Sequence, residues 1–319
     1  MNKKTKENIK KVFVILGPTS SGKTSLALDL CKKYNGEIIS ADSRQVYKYM
    51  DIGTGKTPTL TKDEIDKKDL VWNFNGTNIW GYDLVKPDKF FSSYEYALFA
   101  LPKIRELHRE KKNAFITGGT GFYIDTLTGR IIPSLVEPDF ELREELKDLS
   151  VEKLVEKLKL LDEKMLANID TKNPIRLIRA IEKASQKSIN LDKLPYIDNV
   201  QYYLLGLNAP REVLFSMADK WSEKIWNNGL IEETESLLKM GYRESPKLKG
   251  LVYKSVVDYL DKKLGDSQAL QRIKFDLHGY IRRQQTYFNK NKDIVWFDIS
   301  KENYKENIYN FIEEKMKNG

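Results

Sequence analysis

The chain has 319 residues, 40% of them hydrophobic, enough to bury one large core or two ordinary ones. Its 54 Lys and Arg against 46 Asp and Glu leave a net charge of +8, which favours an anionic partner without naming one. A single cysteine excludes an internal disulfide, two distant histidines, His108 and His278, offer no zinc site, and the apolar run after the lysine-rich start is too short for a signal-peptide core or a membrane span. A cytoplasmic protein with no membrane segment is expected.

The first element is "VFVIL", Val12 to Leu16, an unbroken apolar run of the kind expected for a strand buried on both faces. A glycine-rich turn follows, and from Lys23 the spacing of Leu26, Leu30 and Tyr34 predicts a helix in which Cys31 is a small buried hydrophobe. "GEIISADS" from Gly36 and "AFITGG" from Ala114 predict two more strands, and this alternation of strand and helix argues a parallel α/β sheet. After Pro133 the texture changes. Leu142, Leu146 and Leu149, then Leu154, Leu158, Leu161 and Met165, recur at helical spacing, and a polar return loop, "NLDKLPYIDN", closes the stretch. "YYLLGLN" from Tyr202 resumes the sheet, helices broken at Gly229, Gly241 and Gly265 follow, and "DIVWFDI" from Asp293 is a late strand. The expected fold is α/β: a P-loop NTPase-like parallel sheet core flanked by helices, begun by residues 10–133, interrupted by an inserted all-helical subdomain, 134–197, and completed by a basic, helical C-terminal region, 198–319.

Within the glycine-rich turn, Gly17, Gly22, Lys23 and Thr24 satisfy G-x-x-x-x-G-K-[ST], with a strand before and a helix after, as that motif requires. Gly17, Pro18, Thr19, Ser20, Ser21 and Gly22 would curl their amides around a phosphate, Lys23 would neutralise it, and Thr24 would ligate Mg2+. An ordinary NTPase ends a hydrophobic strand with a magnesium-holding aspartate, whereas "AFITGG" ends in glycine. Asp42, Ser43, Arg44 and Gln45 instead crowd the end of the second strand, where an open α/β sheet presents its ligand crevice.

"GPTSSGKTSLAL", "IISADSRQVYKYMDIGTGK", "ITGGTGFYIDTLTG" and "NPIRLIRAIE", in this order, resemble the tRNA dimethylallyltransferases, and "GLIEETESLLKMGY" and "YIRRQQTYFNKNKDIVWFD" extend the likeness over nearly the whole chain. The resemblance implies transfer of a dimethylallyl group from dimethylallyl diphosphate to N6 of the adenosine beside the anticodon of tRNA. It makes the P-loop a diphosphate site and Asp42 the base for the adenine amine. It places Asp42, Ser43, Arg44, Gln45, Thr120 and Arg143 against the tRNA anticodon stem-loop; by their own pattern, Arg176 and Arg179 suit a phosphate-tracking pair, and the cation-rich stretch from Arg272 to Lys292 puts Arg282 and Arg283 against the RNA. Arg176 and Arg179, three apart on one helix face, are equally readable as salt bridges to Glu182 or its neighbours. The base would have to leave its stack to reach the site. A monomer is expected.

The chain departs from the family pattern at several places. Ile79 and Trp80 stand for paired histidines, with Asp83 kept; Met217 and Trp221 stand for arginines; Val252 and Ser255 replace a glycine and an acid; and Leu277 and His278 replace a Thr-Arg pair. Lys220 or Lys224 on the same predicted helix could supply the missing charge. These losses keep open a non-catalytic tRNA-binding relative, and the P-loop keeps open a small-molecule kinase or a prenyltransferase of free adenine nucleotides.

Overall fold

A computed structural model of the protein describes residues 9–57, 65–68, 70–133, 136, 138–185 and 194–317. The start of the chain, residues 1–8, the first residues of the expected insertion, 134 and 135, and much of the expected return loop, 190–193, lie outside the described residues.

The sheet strands are β1 (Lys10–Leu16), β2 (Gly36–Ser40), β3 (Ile65–Lys68), β4 (Val71–Phe74), β5 (Thr77–Trp80), β6 (Asn113–Gly118), β7 (Val200–Asn208) and β8 (Ile294–Asp298), in the spatial order β3-β4-β5-β2-β6-β1-β7-β8. From β5 to β8 every neighbouring pair is parallel, and β3, β4 and β5 close one edge as an antiparallel meander. The sequence reading therefore gave the parallel centre and missed the meander. The central strand β1 lies between β6 and β7, and Val12 to Ile15 are fully buried, which is why it reads as an unbroken apolar run.

Helices α1 (Lys23–Tyr34), α2 (Ser93–Arg109) and α3 (Gly121–Leu127) belong to the first part of the core. A capping box starts α2: the Glu95 amide donates to Ser92 Oγ, and the Glu95 carboxylate accepts from the Ser92 amide. Phe13, Ile15, Leu26, Leu30, Phe115 and Leu205 pack together in the core, with Cys31 buried among them.

The chain divides into two compact units, one of residues 1–131 and 195–319, the other of residues 132–194. The smaller carries α4 (Phe140–Leu146), α5 (Val151–Asp162), a short 3-10 helix (Glu163–Asn168) and α6 (Pro174–Ser185). Leu146, Leu154, Leu158, Leu177 and Ile181 form its own core. Leu161, expected on that apolar face, lies in the last turn of α5 and is 45% exposed.

In the larger unit the helices α7 (Arg211–Trp226), α8 (Leu230–Lys239), α9 (Leu251–Leu260), α10 (Asp266–Phe288) and α11 (Tyr304–Lys317) complete the fold. Gly229 separates α7 from α8 with φ 99°, and Gly265 precedes α10.

Candidate active site

The carboxyl ends of β1, β2 and β6 open onto a cavity of about 390 Å³. Thr19, Ser20, Gly22, Lys23, Thr24, Asp42, Gln45, Thr117 and Gly118 line it from the sheet side. Met217, Lys220 and Trp221 of α7 and Gln284 of α10 line it too.

The phosphate loop owes its shape to contacts far along the chain. Gly17 has φ 142°, and a Cβ there would stand 2.3 Å from the Leu207 carbonyl oxygen, so no side chain fits. The Thr19 amide donates to Gln284 Oε1 at 2.8 Å, and Gln284 Nε2 donates to the Gly119 carbonyl at 2.9 Å, tying the loop to the end of β6. Ser21 Oγ donates to the Pro18 carbonyl at 2.8 Å, and Lys23 Nζ to the same carbonyl at 2.5 Å. Gly22 caps α1 in the left-handed conformation with no side-chain hydrogen bond and no acid in the first turn, leaving the helix N-terminus its partial positive charge. Burial lowers the Lys23 ammonium to about 8, with nearby Asp42 pulling it back up.

Asp42 faces this lysine across the cavity, and its Oδ1 accepts the Arg44 amide at 2.9 Å. The carboxylate thus both fixes the turn after β2 and reaches the site. The Ser43 amide donates to Thr120 Oγ1 at 2.9 Å, and that hydroxyl lies 3.1 Å from Ser43 Oγ. Gln45 is buried; Ser40 Oγ donates to its Oε1, and its Nε2 reaches the carbonyls of Thr54 and Gly55. Those two residues belong to the loop that Glu233 holds: its carboxylate accepts the amides of Asp51, Ile52 and Gly53 at 2.8, 2.7 and 3.0 Å and the Tyr253 hydroxyl at 2.7 Å. Fully buried Lys56 anchors the same loop through Asp51 and Asp83. Asp83 also accepts Trp72 Nε1, while Trp80 donates to Glu37 and Ile79 lies in the core.

Among the described residues no three His, Cys, Asp or Glu side chains gather to hold a metal. Magnesium arriving with a diphosphate needs few protein ligands, because it keeps several waters. Thr24 and Asp42 line the cavity, and the Ser20 and Thr117 hydroxyls that line it with them are buried without partners. These oxygens fit a hydrated ion bound to a diphosphate.

The expected RNA residues divide into groups. Arg143 and Arg179 both pair with Glu182, whose carboxylate is fully buried within the smaller unit; Arg143 Nη2 meets Glu182 Oε2 at 2.9 Å, and Arg179 also donates to the Val136 carbonyl. Burial pushes Glu182 up, and the two guanidiniums outweigh it and hold the carboxyl below its ordinary range. The salt-bridge reading therefore describes Arg179, while Arg176 is exposed, with Asp170 at 3.9 Å. Arg282 and Arg283 are exposed on α10, over the rings of Phe215 and Tyr280. Tyr287 and Phe288 pack inward, Tyr287 donating to Asp125 at 2.6 Å. Met217 and Trp221 line the cavity as apolar groups, and of the two lysines only Lys220 lines it with them. Gln284, Glu233 and Thr117 carried no local signal of their roles.

A family model described as IPP transferase matches residues 45–291, and one described as isopentenyl transferase matches residues 10–78. The chain is 35% identical to a tRNA dimethylallyltransferase of Thermoanaerobacter sp. (strain X514), covering 96% of this chain and 98% of the relative. It is also 35% identical to one of Clostridioides difficile (strain 630), with the same coverage. The crystal structure of a full-length tRNA isopentenylpyrophosphate transferase from Bacillus halodurans superposes with a TM-score of 0.68 at 30% identity, covering 97% of each chain. A eukaryotic dimethylallyltransferase described as acting on tRNA, 23% identical, shares the fold with a TM-score of 0.70, covering 91% of this chain and 74% of that one.

Proposed function

The chain belongs to the tRNA dimethylallyltransferase family, and on that premise we propose that it moves the dimethylallyl group of dimethylallyl diphosphate onto N6 of the adenosine beside the tRNA anticodon. One observation carries the reading for this chain: a single cavity collects Lys23, Thr24 and Asp42, while its β6 wall runs Thr117-Gly118-Gly119 with no carboxylate for an NTPase metal.

In the reaction the amine nitrogen bonds to the allylic carbon, the carbon–oxygen bond to diphosphate breaks, and one amine proton must leave. Lys23, the loop amides and the α1 N-terminus stabilise the charge that grows on the departing diphosphate. Thr24 would hold Mg2+ together with the diphosphate, and the ion would neutralise the same leaving group. Asp42, opposite Lys23, orients the amine and accepts its proton. Gln284 occupies the Thr19 amide and fixes the loop at the end of β6. The direct test incubates the purified protein with Mg2+, tRNA and dimethylallyl diphosphate and analyses the nucleosides by mass spectrometry. Prenylated adenosine is expected; ATP turnover without transfer would overturn the reading.

The Lys23 ammonium gives the site a pH signature. Diphosphate stabilises its charged form, so the bound lysine titrates at a higher pH than the free one, which titrates at about 8. Affinity for dimethylallyl diphosphate should be level below that pH and then fall by about tenfold per unit as the free lysine loses its proton. Calorimetry across the range checks this, and Lys23→Met should bind more weakly, with that fall absent.

Lys220 is the cation that α7 offers the cavity. A charge-assisted hydrogen bond to the leaving diphosphate is worth roughly 1.5–3 kcal/mol, about ten- to a hundredfold in rate. Lys220→Ala should slow single-turnover transfer on that scale and Lys224→Ala should not. Equal rates for all three proteins would remove Lys220 from the reaction.

A further inference from the structure

We propose that Lys247 and Arg44 together form an anion subsite beside the cavity that takes a phosphodiester of the RNA substrate, an assignment that rests on the transferase reading above. Lys247 is half-buried, its ammonium 4.6 Å above the centre of the fully buried Tyr47 ring. Its neighbours fix it: Ser245 is buried and donates to the Pro87 carbonyl, Leu248 is buried, and the Lys247 amide donates to Ser245 Oγ at 3.2 Å. Arg44 leaves the Asp42 turn with its guanidinium against Gly250, where an added Cβ would stand 3.5 Å from Nη2. The two cations are close enough that Arg44, after burial itself, presses the Lys247 ammonium below its ordinary range.

The acids around this pair are engaged elsewhere: Asp42 faces Lys23 and accepts the Arg44 amide, and Glu95 accepts the Ser92 amide. Glu244 pairs with Lys249, Asp51 with Lys56 and Lys67, and Glu233 with the loop amides. Among the described residues neither Lys247 nor Arg44 has a carboxylate within 4.0 Å. Two like charges held together and partly dehydrated oppose folding unless an anion completes them. The ring under Lys247 offsets part of that and cannot also answer Arg44.

The position selects the anion. Asp42 and Gln45 line the cavity, and Arg44 and Lys247 do not, so the pair stands outside the diphosphate's place. A nucleotide whose base enters the cavity carries its phosphates outside it, on the polymer backbone.

The test uses Lys247→Met, which keeps an unbranched chain over Tyr47 and removes the charge, with Lys247→Arg as the conservative control. In tRNA binding measured across salt concentrations, the methionine variant should show a slope of log affinity against log salt shallower by about 0.7–0.9, the value of one phosphate contact. The arginine variant should keep the wild-type slope. The affinity for dimethylallyl diphosphate should stay the same, and the urea midpoint of Lys247→Met should stand at or above that of wild type, because an unanswered charge is gone. An unchanged salt slope, a weakened affinity for dimethylallyl diphosphate, or a lowered midpoint would each overturn the subsite. A wild-type protein that does not prenylate tRNA would sink the underlying function instead, which separates the two failures.

Discussion

Asp42→Asn is expected to slow single-turnover transfer about 100-fold or more, the usual scale of a general base, with tRNA affinity held close to wild type. The substitution is nearly isosteric, and the asparagine Oδ1 can still accept the Arg44 amide that Asp42 accepts at 2.9 Å. The turn should therefore survive while the basic oxygen is lost. A second readout comes from Lys23, whose charge Asp42 supports against burial. Removing that support should move the fall in diphosphate affinity to lower pH. A variant with wild-type rate and an unmoved pH profile would leave Asp42 a turn former only.

Glu233→Ala is expected to cost roughly 2–4 kcal/mol of stability, read as a lowered urea midpoint with an unchanged slope of the transition. The carboxylate gathers three consecutive amides and the Tyr253 hydroxyl. Burial raises its pKa even though the same four donors pull the other way. Truncation leaves those donors without a partner in a partly solvated place. Glu233→Gln should fall between, since a neutral amide accepts more weakly and turns its own donors toward the loop. Because Thr54 and Gly55, three and four positions from Asp51, receive Gln45 at the cavity wall, both variants should also bind dimethylallyl diphosphate more weakly. A truncation without effect on the midpoint would mean that water satisfies the loop as well as the carboxylate does.

The parts of the molecule legible in its sequence are those whose cause is local. The run from Val12 to Leu16 is apolar because β1 is covered on both faces, and the phosphate loop declares itself because its glycines, lysine and threonine must fall at fixed spacing. The meander was illegible for the opposite reason. Its strands are four residues each; β4 and β5 are only alternately buried, too short a pattern to stand out, and β3 has three exposed residues of four. Arg179 belongs to a short local pattern that fits an RNA face and a salt bridge equally well; the buried Glu182 engages it together with Arg143 from another helix. Gln284 and Glu233 bond to backbone 265 and 180–182 residues away, and no periodicity of either helix marks such a partner. In α7 the resemblance set Met217 and Trp221 where arginines are expected, and the fold separated Lys220, at the cavity, from Lys224.

The contacts that shape the phosphate loop bear on how the protein is made. The loop is among the first described segments to be synthesised, yet Gly17 rests on the Leu207 carbonyl and the Thr19 amide is held by Gln284. Beside it, β1 needs β7, whose first residue is Val200, to cover its second edge. Such pairings have high contact order and form slowly, after the entropy of closing long loops has been met. A ribosome-bound chain that ends before Gln284 has the motif and lacks a bond that shapes it. The loop therefore gains its full set of hydrogen bonds only after Gln284 has been made and has reached Thr19 and Gly119.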